Sequence, residues 1–290
     1  MIPHYVLIIH GIGEEKAGFS EPLPKLIGKE FAAHVTRIWQ RPPQDEINIT
    51  EVVWADITQN DQNRLWDRLF PELGRKGVSW GSLLIQPSTW IPRLRYLSAF
   101  RRFMVNYLGD HIAYVKSPGV DKYEQIHQRV WASIDQCASE AGQKGATDQK
   151  PALLTIVAHS LGSVIACDLS YDSIIKKKRA WPSQLRLANL ITMGSPLALY
   201  TLRFGDPQNS KEPITMQDPN GLRINIYDPQ DILGYPLKLV NRQYDQAVYI
   251  DKVINAGQGW KFWQWIKQAS PFSHLLYWED NTVAEVIGRK

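Results

Sequence analysis

Ser160 stands at a change of character in the chain. The residues leading to it, TIVAH from Thr155, are β-branched and apolar and read as a buried strand, whereas those after Gly162 read as a helix. A serine hydroxyl at such a junction can serve as a nucleophile only if a histidine takes its proton and a carboxylate orients that histidine. A sharp strand-to-helix turn also leaves no room for large side chains beside the serine, and Ala158 and Gly162 lie two before and two after it. The helix that follows points its positive end and its free N–H groups toward any oxyanion that develops at the serine. The competing reading is a small residue that fits a tight turn.

Ala-His-Ser-Leu-Gly between a strand and a helix resembles the nucleophile elbow of the α/β-hydrolase superfamily, particularly its lipase and esterase members, with Ala158 where that pattern usually has glycine. The resemblance implies the chain order serine, acid, histidine. Histidines occur at 4, 10, 34, 111, 127, 159 and 274, and only His274 follows Ser160. It lies in SPFSHLLYW, beyond the last expected strand and before a closing helix, which is where the superfamily's catalytic histidine resides. For the acid, RINIYDPQDILGYP offers Asp228 and Asp231 directly after a strand. Asp231 resembles the family's acid better, while Asp228, followed by Pro229, fits a turn-forming role. Both remain within reach of the required geometry; Asp206 and Asp218 are weaker candidates.

The oxyanion hole needs two backbone N–H donors. IIHGIG, residues 8–13, ends the first strand and resembles the His-Gly loop of lipases, which implies the N–H groups of Ile12 and Leu161 as donors. Gly11 and Gly13 give this loop freedom to turn inward. His10 and His159 flank the expected site without the required chain order, so they are expected, with Gly11, to line the pocket or to bond loops. A phosphate cradle in the same loop fails, because Lys16 stands where G-x-G-x-x-G needs glycine and Phe19 where a P-loop needs lysine. The implied chemistry requires no metal and no organic cofactor.

These residues need a scaffold. YVLII, residues 5–9, is a short apolar run ended by a histidine and a glycine and reads as a central strand. Leu23, Leu26, Ile27, Phe31 and Val35 recur at spacings of three or four and predict a helix over 22–39. Strands are expected at 47–54, 187–193, 222–227 and 247–253, and helices at 121–141 and 280–287. Alternating buried strands and amphipathic helices predict an α/β fold with a mostly parallel central sheet flanked by helices. Ligands of such sheets bind at the carboxyl ends of the strands.

Residues 55–119 break the pattern with Trp66, Trp80, Trp90 and several prolines and short helical stretches, and are expected to form a helical insertion, a cap or lid, within a single domain spanning 1–290. The segment 91–108 mixes arginines at 93, 95, 101 and 102 with apolar residues; it reads first as a cap helix with solvated arginines and second as a peripheral membrane contact. GWKFWQWIK, ending at Lys267, brings three tryptophans near His274 and hints at an apolar substrate.

With 44% hydrophobic and 21% charged residues, the chain has an ordinary globular composition. Its net charge of +4 arises from mixed charges, and the tight basic run KKKR, ending at Arg179, reads as a solvated helix end. No RNA-recognition signature and no zinc-ligand spacing occurs, so nucleic acid is not an expected partner. Two cysteines, Cys137 and Cys167, are too few for a disulfide framework, and the start lacks a basic region followed by a long apolar one, so a cytoplasmic protein is expected. The chemistry implied is hydrolysis of a small-molecule or lipid carboxylic ester through an acyl-enzyme on Ser160. Thioester cleavage or acyl transfer by the same machinery, and a non-catalytic lipid- or partner-binding role, are the alternatives.

Overall fold

The computed structural model describes residues 3–11, 16–39, 47–70, 92–115, 119–206, 212–256 and 273–288. Its centre is a six-stranded sheet of β1 (His4–Ile9), β2 (Ile47–Val52), β3 (Ala152–His159), β4 (Leu185–Met193), β5 (Leu222–Tyr227) and β6 (Ile250–Val253). The spatial order is β2-β1-β3-β4-β5-β6 and every pairing is parallel. The fold class is therefore the expected one, α/β with a parallel sheet flanked by helices.

Parallel strands are buried on both faces, which is why they read as continuous apolar runs. Tyr5 to Ile9 and Leu154 to Ala158 are almost wholly withdrawn from solvent. On one face Ile8, Val157, Ile191 and Ile226 pack against Leu23 and Ile27 of α1 (Leu23–Trp39) and against Val283 and Ile287 of the last helix, Asn281–Gly288. Across the other face of β2 runs α4 (Lys122–Gln143), where Asn48 donates to Glu140 at 2.9 Å and the Cys137 thiol, pushed up to about 11 by burial, lies 3.9 Å from Thr50.

The order of strands reverses between β1 and β3, since the chain builds outward to β2 on one side and through β4 to β6 on the other. Such a reversal splays the following loops apart and opens a crevice at the carboxyl ends of the two central strands. Ile9 pairs with Ala158 there, so His10-Gly11 and Ser160 leave the sheet side by side.

The chain divides into two compact units, one comprising most of residues 1–52 with Val130–Lys290, the other built mainly from Val53–Arg129. The second contains α2 (Asp56–Leu69), where short helical pieces were expected, and α3 (Pro92–Tyr114), which runs on past the helix expected over 91–108. Arg102 lies over the Trp66 ring at 5.2 Å and bonds Asn63, so this arginine is engaged rather than solvated; Arg101 is exposed. Among the described residues no helix is long and apolar enough to cross a membrane.

One strand starts later than expected. The strand expected over 247–253 begins only at Ile250, because Asn241 caps a short helix, α6 (Arg242–Ala247), by accepting from the Tyr244 N–H at 2.9 Å. The basic run ending at Arg179 is solvent-exposed as expected, though Lys178 reaches Asp172 and Arg179 stacks on Trp131.

Candidate active site

Ser160 follows β3 and precedes α5 (Leu161–Ser170) with φ 53° and ψ −129°. A non-glycine residue held there costs on the order of 1–3 kcal/mol, which the surrounding packing must sustain. The turn is bound on each side: the Ser160 N–H donates to Met193 at 2.9 Å, and its carbonyl accepts from the N–H and the hydroxyl of Ser163. Its own hydroxyl makes no cap to the helix. It points instead to His274, with Oγ 2.7 Å from Nε2.

Small residues around this turn are a steric requirement. A Cβ on Gly162 would sit 2.3 Å from the His10 carbonyl oxygen, and one on Gly11 would sit 2.4 Å from the Ser160 Cβ. The loop after β1 and the first turn of α5 are thus in contact along backbone. Ala158 is fully buried, and its extra methyl relative to glycine is accommodated.

His274 lies on a 3₁₀ turn, Ser273–Glu279, and is wholly buried. Its Nδ1 is 2.9 and 3.0 Å from the two carboxylate oxygens of Asp231. Asp231 follows β5 by four residues and also accepts from the Leu233 N–H and the Tyr277 hydroxyl, each at 2.9 Å. Burial alone would push the Asp231 carboxyl up, but the neighbouring His274 ring and these donors together hold it below the usual carboxylate value. An ionised carboxylate can only accept, so Nδ1 carries the imidazole proton and Nε2 is left to accept from Ser160.

Asp228 is buried but spends its carboxylate elsewhere. Its oxygens accept from the Gln230 and Ala256 N–H groups, as a turn-former does. Asp218 faces Arg186 at 4.0 Å, and Asp206 is exposed. Of the four acids weighed in the sequence, Asp231 is the one that meets His274.

His159 and His10 are buried beside the site. His159 donates from Nε2 to the His274 carbonyl at 2.7 Å, with the two rings 4.6 Å apart. Burial, with the adjacent His274, lowers its pKa to about 3, so it is a neutral clamp on the backbone of His274. The His10 Nδ1 bonds the Gly11 carbonyl at 2.8 Å, and its ring meets the Phe19 edge. Leu161, as the first residue of α5, has an N–H outside the helix's own bonding pattern. Ile12 lies outside the described residues, as do Gly13, Trp80, Trp90 and the three tryptophans of the segment ending at Lys267.

Three contributors escape a reading of the sequence. Tyr277 bridges the site, donating to Asp231 and accepting the Asp228 N–H at 2.9 Å; burial and Asp231 push its phenol far up, which fixes it as a donor. Gly194, just past β4, adopts φ +53°, and a Cβ there would lie 2.9 Å from Asp231 Oδ2 and 3.1 Å from His274 Nδ1. Gly234 leaves similar room on the other side, 2.7 Å from the same oxygen. The signals existed: Tyr277 lies one helical turn after His274, and Gly194 follows a strand at the carboxyl edge of the sheet.

Among the described residues no cluster of three or more His, Cys, Asp or Glu side chains is placed to hold a metal ion. No protein-family model and no curated protein matches the chain. Among solved structures it is similar to a protein from Xanthomonas campestris pv. campestris whose assignment as a hydrolase of the alpha/beta superfamily is itself provisional. The two share 16% identity over 94% of this chain and 98% of that one, with a TM-score of 0.29.

Proposed function

We propose that the chain is a serine hydrolase that cleaves carboxylic esters through an acyl-enzyme on Ser160. The observation that carries this reading is one continuous line of hydrogen bonds, Ser160 Oγ to His274 Nε2 at 2.7 Å and His274 Nδ1 to Asp231 at 2.9 Å. In this reading His274 takes the hydroxyl proton as Oγ attacks the ester carbonyl, and the ionised Asp231 stabilises the imidazolium so formed. The N–H groups of Leu161 and Ile12 are the proposed oxyanion donors. His274 then returns the proton to the departing alkoxide, and water activated by the same imidazole frees the acid. Residues 55–119 are proposed as the cap that selects the substrate.

Support comes from the burial and backbone of the site as well as its distances. Protein dipoles and charges act more strongly where water is excluded, and all three side chains are buried. A serine at φ 53° is an unfavourable conformation that the fold sustains at the turn between β3 and α5.

The complete burial of Ser160 also favours a second reading, a non-catalytic module that holds an apolar ligand without turnover. Turnover separates the two. A series of p-nitrophenyl esters of increasing acyl length should be hydrolysed by the wild-type chain and not by Ser160→Ala. Folded protein with no turnover of any member would favour the binding module.

A further inference from the structure

Two wholly buried serines lie beside the turn that carries Ser160, Ser163 on α5 and Ser195 just past β4. The Ser163 Oγ is 2.5 Å from the Ser160 carbonyl oxygen and 2.6 Å from the Ser195 Oγ, and the Leu197 N–H reaches that Ser195 oxygen at 3.2 Å. A carbonyl can only accept, so the single hydroxyl proton of Ser163 goes to it, and Ser195 must donate to Ser163. The bonds therefore run one way, from the Leu197 N–H through Ser195 and Ser163 to the Ser160 carbonyl. Hydrogen bonds aligned in series polarise one another.

The far end of this relay is fixed to the sheet. Met193 accepts the Ser160 N–H at 2.9 Å, Gly194 donates to the Ile226 carbonyl at 3.0 Å, and the Ser195 carbonyl accepts the Tyr235 N–H at 3.2 Å. One short segment, 193–195, thus ties the nucleophile turn to β5 and to the loop that carries Asp231.

Peptide geometry turns this anchoring into a constraint on catalysis. The Ser160 carbonyl and the Leu161 N–H belong to one planar unit, and in a trans peptide they point in opposite directions. Two donors from Ser163, its N–H at 3.0 Å and its hydroxyl, hold that carbonyl and so set the direction of the Leu161 N–H. Polarising the carbonyl also makes the N–H of the same amide a stronger donor.

We propose that Ser163 and Ser195 are positioning residues of the oxyanion hole, which aim and strengthen the Leu161 N–H toward the tetrahedral oxygen. The inference rests on the reading of Ser160 as the nucleophile, and it assigns the relay to the oxyanion rather than to the base.

Steady-state kinetics of the full chain on a p-nitrophenyl ester that the wild type hydrolyses test it, with denaturant unfolding to confirm that each variant is folded. Ser163→Ala should lower kcat by about 10- to 100-fold, and Ser195→Ala by about 3- to 10-fold, with KM within about twofold in both. The double variant should be about as slow as Ser163→Ala alone, since Ser195 acts only through Ser163. The acid limb of kcat/KM, set by the imidazole, should stay in place, and affinity for an aryl trifluoromethyl ketone, whose serine adduct carries the same oxyanion, should fall in step with kcat. If Ser163→Ala does not fold, kcat and ketone affinity of Ser195→Ala decide the matter. Unchanged kcat in Ser195→Ala, losses that multiply in the double variant, a raised KM in place of a lowered kcat, or a displaced acid limb would each overturn the assignment and leave the nucleophile reading standing. A folded wild-type chain that hydrolyses no member of the ester series would remove both.

Discussion

Gly194→Ala should damage the site through one methyl group, and a second glycine supplies its control. Gly194 has φ +53°, where an alanine costs about 1–2 kcal/mol relative to glycine. Its new Cβ would also meet Asp231 Oδ2 at 2.9 Å, Tyr277 Cε2 at 3.0 Å and His274 Nδ1 at 3.1 Å, against an ordinary contact of 3.4 Å or more. Three hydrogen-bonded groups must then recede together by about 0.3–0.5 Å, an overpacking that adds about 1–3 kcal/mol. Gly145, after α4, has φ +91° with nothing within 4 Å of its would-be Cβ, so Gly145→Ala carries the backbone cost alone. Denaturant unfolding should show a loss of about 1–2 kcal/mol for Gly145→Ala and about 2–5 kcal/mol for Gly194→Ala. Ester turnover should stay at the wild-type rate in the first and fall by roughly 10²-fold in the second, because the imidazole is displaced from its line. Equal stability losses in the two variants, with turnover intact in both, would refute the steric reasoning.

Tyr277→Phe should cost about 2–4 kcal/mol in denaturant unfolding at pH 7, since it leaves a buried carboxylate short of one donor and the Asp228 N–H without an acceptor. The share that comes from Asp231, whose folded pKa is depressed, is present above the unfolded value of about 3.9 and lost as pH falls through the lower folded one, so the cost should shrink at acid pH. Burial holds His4 near about 4 and His159 near about 3, both below the ordinary 6.5. The unfolded chain thus takes up protons first, and these two histidines together should lower stability by roughly 3 kcal/mol per pH unit as pH falls from ~6 to ~4.5, a contribution that His159→Gln should roughly halve. Asp231→Asn should lower ester turnover by about 10³- to 10⁴-fold, whereas Asp228→Asn should lower stability by about 1–3 kcal/mol and leave most turnover, which kinetics and unfolding on the two variants would distinguish.

The strands were legible because a parallel sheet buries both faces and so demands apolar runs, as in residues 5–9 and at Thr155 to Val157. The helices α1 and α4 announced themselves through apolar stripes. By contrast α2 buries Thr58, Gln62 and Trp66, a mostly polar stripe that periodicity of apolar residues does not detect. The late start of β6 was hidden because the Asn241 cap acts through a side-chain oxygen rather than through hydrophobicity. Within the site, Ser160 and His274 could be singled out by local pattern and chain order, and the sequence left Asp228 beside Asp231. Their separation depends on where two turns aim their carboxylates, which local composition does not encode.

The most direct test of the central claim is intact-mass analysis of the full chain after exposure to a fluorophosphonate, with the modified peptide sequenced. The account predicts one adduct, on Ser160, absent from Ser160→Ala and formed far more slowly in His274→Ala. An unmodified wild-type chain that is demonstrably folded, or an adduct on any other serine, would contradict it.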